Sequence, residues 1–122
     1  MQPFQVELPE KASTNVLYRR HHRARYKTEQ DFYLAVRHAV QKQGIVPVKK
    51  YPVSIEYIFE IPGKRLDSLN LSGMAKMVED GLRHAKILKD DSPKYVKSTN
   101  LSSVPTNGKG SVAWVLITEV DT

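Results

Sequence analysis

The sequence predicts an α+β domain in which two main helices pack on one mixed β-sheet. Three observations carry that expectation. Residues 53–61 alternate apolar and polar with period two, two windows repeat apolar residues at helical spacing, and residues 111–120 are apolar on both alternations. At 122 residues the chain fits one domain, 1–122, with little room for a second.

The elements follow in order. Phe4, Val6 and Leu8 alternate with polar residues in FQVELP and read as a short first strand. The segment from Tyr18 to Lys27, YRRHHRARYK, carries five Lys or Arg, two His and two Tyr, with almost nothing to bury. It reads as a loop or an exposed helix start. Thr28 is expected to cap a helix running to about Gln43, with Glu29 and Asp31 in a first turn where negative charge suits the dipole. Phe32, Val36, Ala39 and Val40 then face the core, and Gly44 is the stop. Pro47 and Pro52 frame a basic connector, VPVKKYP.

Val53, Ile55, Tyr57, Phe59 and Ile61 mark the clearest half-buried strand, ended by Pro62 and Gly63. A second helix is predicted from about Leu71 to Ala85. Leu71, Met74, Ala75, Val78, Leu82 and Ala85 lie on one face, and Lys76, Asp80 and Arg83 on the other. ILKDDSPK is a turn-rich link, and YVKSTNLSSV reads as a further strand. Asn107-Gly108 is a hairpin signal, and SVAWVLITEV, apolar on both faces, reads as an interior strand.

The composition restricts function. A net charge of +6 predicts attraction to a polyanion, nucleic acid first among them. Cysteine is absent, which removes disulfides, zinc-thiolate sites and thiol nucleophiles. No apolar run approaches the roughly 20 residues of a membrane helix, and the N-terminus lacks the apolar core of a signal peptide. A cytoplasmic protein without membrane contact is expected.

No Walker loop, GxGxxG, HExxH or GxSxG motif occurs. Gly108-Lys109-Gly110 lacks the upstream glycine and following helix of a phosphate loop and reads as a hairpin tip. The carboxylates of Asp67, Asp90 and Asp91 all fall in loops at the ends of regular elements. Magnesium prefers oxygen ligands and bridges carboxylates to phosphates, so such residues suit phosphodiester cleavage in a basic protein. Asp-Asp-Ser-Pro is equally a common surface turn. A helix of about 15 residues separates its ends by roughly 22 Å. These aspartates therefore meet only if the link after Ala85 runs back along the helix or a dimer partner completes the site. Lys76 and Asp80, four apart, form an exposed ion pair by default, whereas a lysine beside bound phosphate stabilises developing charge. The four histidines show no metal-ligand spacing. Tyr18 and Tyr26 bracket the basic run, placed either to stack on bases or to anchor the loop on the core.

Residues 67–96, DSLNLSGMAKMVEDGLRHAKILKDDSPKYV, resemble the signature of RusA-type Holliday junction resolvases. In that family a loop containing Asp and Asn opens a helix with a Lys, then an Asp followed by a small residue and Leu, and about ten residues later two adjacent aspartates. Here these are Asp67 and Asn70, Lys76, Asp80-Gly81-Leu82 and Asp90-Asp91, about a quarter of the chain. The resemblance implies a RusA-like fold and a homodimer, of a kind often carried by bacteria and prophages. Such dimers bind four-way DNA junctions and nick two opposed strands using magnesium, or manganese in its place. By motif position Asp67, Asp90 and Asp91 resemble the metal-binding carboxylates, Lys76 the catalytic lysine, and Asn70 and Asp80 supporting residues. Arg19, Arg20, Arg23, Arg25 and Lys27 would then hold the DNA backbone.

One departure stands out. The common loop is Asp-x-Asp-Asn with Lys three residues after the Asn, but here Lys76 follows Asn70 by six, and the two usual aspartate positions hold Asn70 and Ser72. Either Asp67 swings in through a longer loop or a carboxylate is missing. The second case would leave a junction-binding protein without activity on the same scaffold.

Overall fold

Period-two segments became strands and helical-period segments helices, in a computed structural model that describes residues 1–63, 65–90, 92–108 and 110–120. The order is β1 (Phe4–Leu8), α1 (Thr14–Arg19), α2 (His22–Gln43), β2 (Val53–Pro62), α3 (Ser68–His84), β3 (Val96–Thr106) and β4 (Ser111–Glu119). The strands form one sheet in the order β1-β4-β2-β3. β2 and β3 are parallel, whereas β4 runs antiparallel to both β1 and β2. The expected α+β domain, a mixed sheet with two main helices on it, is what forms.

The core lies on one face of the sheet. Phe4 and Val6 of β1, Ile55, Tyr57 and Phe59 of β2, and Ala113 and Val115 of β4 are buried there with Leu17, Phe32, Val36, Met74, Val78 and Leu82 of the helices. The other face carries Ile58, Val112, Trp114 and Leu116, all only half-buried. The predicted interior strand is therefore interior within the sheet, paired on both edges, yet uncovered on one face. The helices pack closely because two glycines permit it. A Cβ on Gly81 of α3 would stand 2.8 Å from Val36 Cγ2 of α2, and one on Gly73 would stand 2.7 Å from Leu17 Cδ1 of α1.

Three local expectations are corrected. First, α2 begins at His22, not at Thr28, and its N-cap is His21, whose Nδ1 accepts from the Arg23 N–H at 3.3 Å. Thr28 is buried inside the helix; its hydroxyl donates to the Ala24 carbonyl at 2.9 Å and accepts from Arg20 Nη1 at 2.8 Å. Arg, Lys and Ala are good helix formers, so this exposed turn needs no apolar stripe of its own. Second, α1 was not foreseen. It is a short helix capped by Ser13, which accepts from the Val16 N–H, and it is anchored by buried Leu17. Third, Asn107-Gly108 does not join a hairpin. β3 and β4 flank β2 on opposite sides, with Thr106 against Pro62 and Val112 against Glu60, so their connection passes the end of β2. The dipeptide signals a turn, but which strand pairs with which is a non-local choice. Gly44, by contrast, ends α2 as expected, in the left-handed conformation at φ 64°.

Candidate functional site

The residues of the α3 signature are held by that helix and its two ends. Asp67 is the N-cap of α3, and its Oδ1 accepts from the Asn70 N–H at 3.0 Å. The next turn is tied to α1. Thr14 Oγ1 donates to the Leu69 carbonyl at 2.9 Å, accepts from the Gly73 N–H at 3.0 Å and lies 3.1 Å from Ser72 Oγ. Ser72 Oγ also lies 2.8 Å from the Leu69 carbonyl. Asn70 and Ser72 thus sit on the first turns of α3, and Ser72 is engaged in its packing.

Further along α3, Lys76 is exposed and its Nζ lies 3.3 Å from Asp80 Oδ1. The same oxygen accepts from Arg83 Nη2 at 2.7 Å. Asp80 is therefore the shared, mostly buried anion between two cations, and the ion-pair reading of Lys76 is present. Tyr33 of α2 stacks on His84 with ring centroids 4.5 Å apart. Burial raises the Tyr33 phenol above its usual range, assisted by Asp80 and Glu29 and opposed by Arg83 and Lys76. Beneath α3, the Tyr57 hydroxyl donates to Glu79 Oε1 at 2.9 Å. Deep burial, with Glu79 adding, pushes that phenol far up.

The two ends of α3 lie at opposite ends of β2. Asp67 follows the C-terminal end of β2, whereas the segment holding Asp90 returns to its start, where the Val53 N–H donates to the Tyr95 carbonyl at 2.8 Å. The rise of a ten-residue strand places those ends about 30 Å apart. The link after Ala85 does not run back along the helix. Ile87 and Leu88 close onto the Leu82 carbonyl, the Val48 N–H reaches the Ile87 carbonyl at 2.9 Å, and the Lys89 N–H reaches Tyr51 Oη at 2.9 Å. One protomer therefore does not join Asp67 to Asp90. Asp91 lies outside the described residues. Among the described residues no three His, Cys, Asp or Glu are grouped to hold a metal ion.

The basic segment divides by role. Arg20 turns inward, paired with Glu10 and bonded to Thr28, and the Glu10 hydrogen bond raises its already high pKa. Lys27 pairs with Asp31 at 3.0 Å. Arg19 and Arg23 are exposed, Arg25 is partly so, and none of the three forms an ion pair among the described residues. Tyr18 and Tyr26 are 67% and 64% exposed, so neither anchors the segment on the core. An open depression of about 580 Å³ is lined by His22, Arg23, Arg25, Tyr26 and Glu29. Exposed aromatics beside arginines suit the faces and phosphates of nucleic acid.

A second cationic cluster lies at the start of β2, where the sequence shows only a basic connector. Lys49 of VPVKKYP and Lys86 and Lys89 after α3 line one groove there, and only the fold brings them together.

No protein-family model matches the chain, and no curated protein does. Among solved structures, the hydrogenase maturation protein HypE in complex with ATP is similar at a TM-score of 0.37 and 14% identity, over 99% of this chain and 30% of that one. A likeness this coarse carries nothing about activity. No helix of the described residues is long and apolar enough to cross a membrane.

Proposed function

We propose that this chain is a magnesium-dependent, structure-selective endodeoxyribonuclease that resolves four-way junctions or other branched DNA by paired nicks, acting as a cytoplasmic homodimer. The observation that carries DNA binding is the exposed Tyr18–Lys27 segment, in which cations and two solvent-facing tyrosines occur without a carboxylate. Cutting rests on the RusA-like signature along α3. Lys76 is exposed on that helix and shares Asp80 with Arg83, so Asp80 keeps a cation when the lysine turns to a bound phosphate. Asp67, Asp90 and Asp91 are the proposed metal carboxylates. The separation of Asp67 from Asp90 in one protomer makes the second copy part of the proposal.

A second reading is a non-catalytic junction-binding protein on the same scaffold. It is favoured by the engagement of Asp67 as a helix cap and by Asn70 and Ser72 at the usual aspartate positions. Synthetic four-way junctions incubated with magnesium or manganese distinguish the two. Symmetric nicks that disappear in an Asp90→Asn, Asp91→Asn variant and in Lys76→Ala support the nuclease. Tight, salt-sensitive binding without any nick, across several junction sequences, supports the binder. Absence of binding at low salt removes both.

A further inference from the structure

The end of the molecule where α3 stops and β2 begins holds a groove of about 420 Å³, lined by Lys49, Tyr51, Arg83, Lys86, Lys89 and neighbouring apolar residues. Arg83 already serves Asp80, so the uncompensated charge comes from the three lysines, which are exposed and make no ion pair among the described residues. Asp90 adjoins Lys89 in the chain, and Lys50 follows Lys49. Nζ of Lys89 and Lys94 stand 6.0 and 5.6 Å from the Tyr95 ring. The walls are fixed before any ligand arrives, by the Val48–Ile87 and Lys89–Tyr51 hydrogen bonds. Cations on a braced scaffold lose less freedom on binding than cations on a loose loop.

Lys86 itself points the same way. It occupies the position just past the end of α3 at φ 66°, in the left-handed region where a residue with a Cβ is disfavoured and glycine is the usual choice. A lysine there costs stability, and what it contributes is its charge at the rim of the groove.

We propose that this groove is a second backbone-binding surface for duplex DNA, distinct from the Tyr18–Lys27 segment. Between the two runs the α2–α3 cleft, lined by Gln30, Tyr33, Arg37 and His84. Arg23 to Arg37 spans about 21 Å along α2. That equals roughly six base-pair steps at 3.4 Å each. The groove extends this track past Arg37, so one protomer grips close to a full turn of one arm. The proposal rests on the DNA-binding reading above.

The test is fluorescence anisotropy with a labelled four-way junction and a plain 30-base-pair duplex, over a range of salt, on the full chain. A Lys49→Gln, Lys86→Gln, Lys89→Gln variant is expected to bind at least tenfold more weakly near 0.1 M salt. Its slope of log affinity against log salt should be shallower by about three, since each lost phosphate contact removes about 0.9. Lys86→Gly separates binding from folding, because it should raise the melting temperature while lowering affinity about five- to tenfold. Lys42→Gln, on α2 beside β1, should change neither. Wild-type binding with an unchanged triple variant overturns the groove alone. No wild-type binding to either DNA overturns the DNA-binding reading, and the groove with it.

Discussion

The carboxylate of Asp67 has two candidate employers, a helix and a metal, and substitution can tell them apart. It accepts the Asn70 N–H at 3.0 Å and is the only carboxylate at the start of α3, whose first turn holds no acidic residue. Asp67→Ala removes both the cap bond and the favourable charge. The bond is worth about 1 kcal/mol and the charge at a helix N-terminus about 0.3–1 kcal/mol. Asp67→Asn keeps the bond, because asparagine caps as well as aspartate, and loses only the charge. For a domain of this size each kcal/mol shifts Tm by roughly 3–6 °C. Asp67→Ala should therefore melt about 5–10 °C lower, and Asp67→Asn about 1–5 °C lower.

Thermal unfolding followed by circular dichroism measures both variants, at low salt and in 1 M NaCl. The Asn deficit should shrink in high salt as the charge term is screened, and the Ala deficit should mostly persist. If Asp67→Ala melts with the wild type, the cap reasoning is wrong. The same Asn variant then reports on chemistry. It folds, so loss of junction cutting in magnesium assigns the carboxylate to the metal, and full cutting removes it from the site.

Further predictions concern the framework around the site. Gly81→Ala gains about 1 kcal/mol of helix propensity but drives a methyl into Val36, where overpacking costs about 1–3 kcal/mol, so it should destabilise; pairing it with Val36→Ala should recover part of the loss in a double-mutant cycle. Arg20→Ala should lose about 1–2 kcal/mol in denaturant unfolding through its bonds to Glu10 and Thr28, whereas Arg19→Ala and Arg23→Ala should leave stability unchanged and weaken only DNA binding. Tyr57→Phe should cost about 1–2 kcal/mol at neutral pH. The Tyr57 phenol has a folded pKa far above 10, so its contribution is complete below about pH 10 and lost as pH rises through the alkaline range. Melting curves between pH 9 and 11 should accordingly fall more steeply for wild type than for Tyr57→Phe.

What the sequence disclosed and what it withheld follow from the range of the forces involved. β1, the buried alternation of β2 and the apolar face of α3 were legible because each is a periodic pattern read against one buried face. The start of α2 was not, because His22–Lys27 is helical without burying anything and continues a helix anchored later by Phe32 and Val36. α1 hangs on one buried leucine and a serine cap, too short a pattern to stand out. The partner of β4 was hidden for a different reason: Asn107-Gly108 reports a local turn, and β2 between the two strands is a tertiary fact. Asp67 and Asp90 lie at the two ends of a helix, outside its regular turns. That placement also puts them at opposite ends of β2, so the motif alone does not make a site. The pairing of Arg20 with Glu10 has no signal in the sequence, because its charge type looks the same whether it faces solvent or a carboxylate.

The uncovered face of the sheet limits where a polyanion can lie. Its cross-strand rows set Glu7 beside Val112 and Val112 beside Glu60, and, beyond the Trp114 row, Glu56 beside Leu116. Trp114 Nε1 donates to Glu60 Oε1 at 2.8 Å, which holds that carboxylate over the sheet. Phosphates brought to this face would meet three glutamates on a half-apolar surface, which is repulsive at short range. The cations lie instead on the helical side and at the start of β2. The net charge of +6 is therefore a difference between faces, and the potential that a DNA arm meets on the helical side is more positive than that number conveys. On the DNA-binding reading proposed above, the charge distribution favours an approach over the helical side. That approach leaves the sheet face to solvent or to protein, and would present the exposed arginines of α2 and the Lys49–Lys86–Lys89 groove to the duplex.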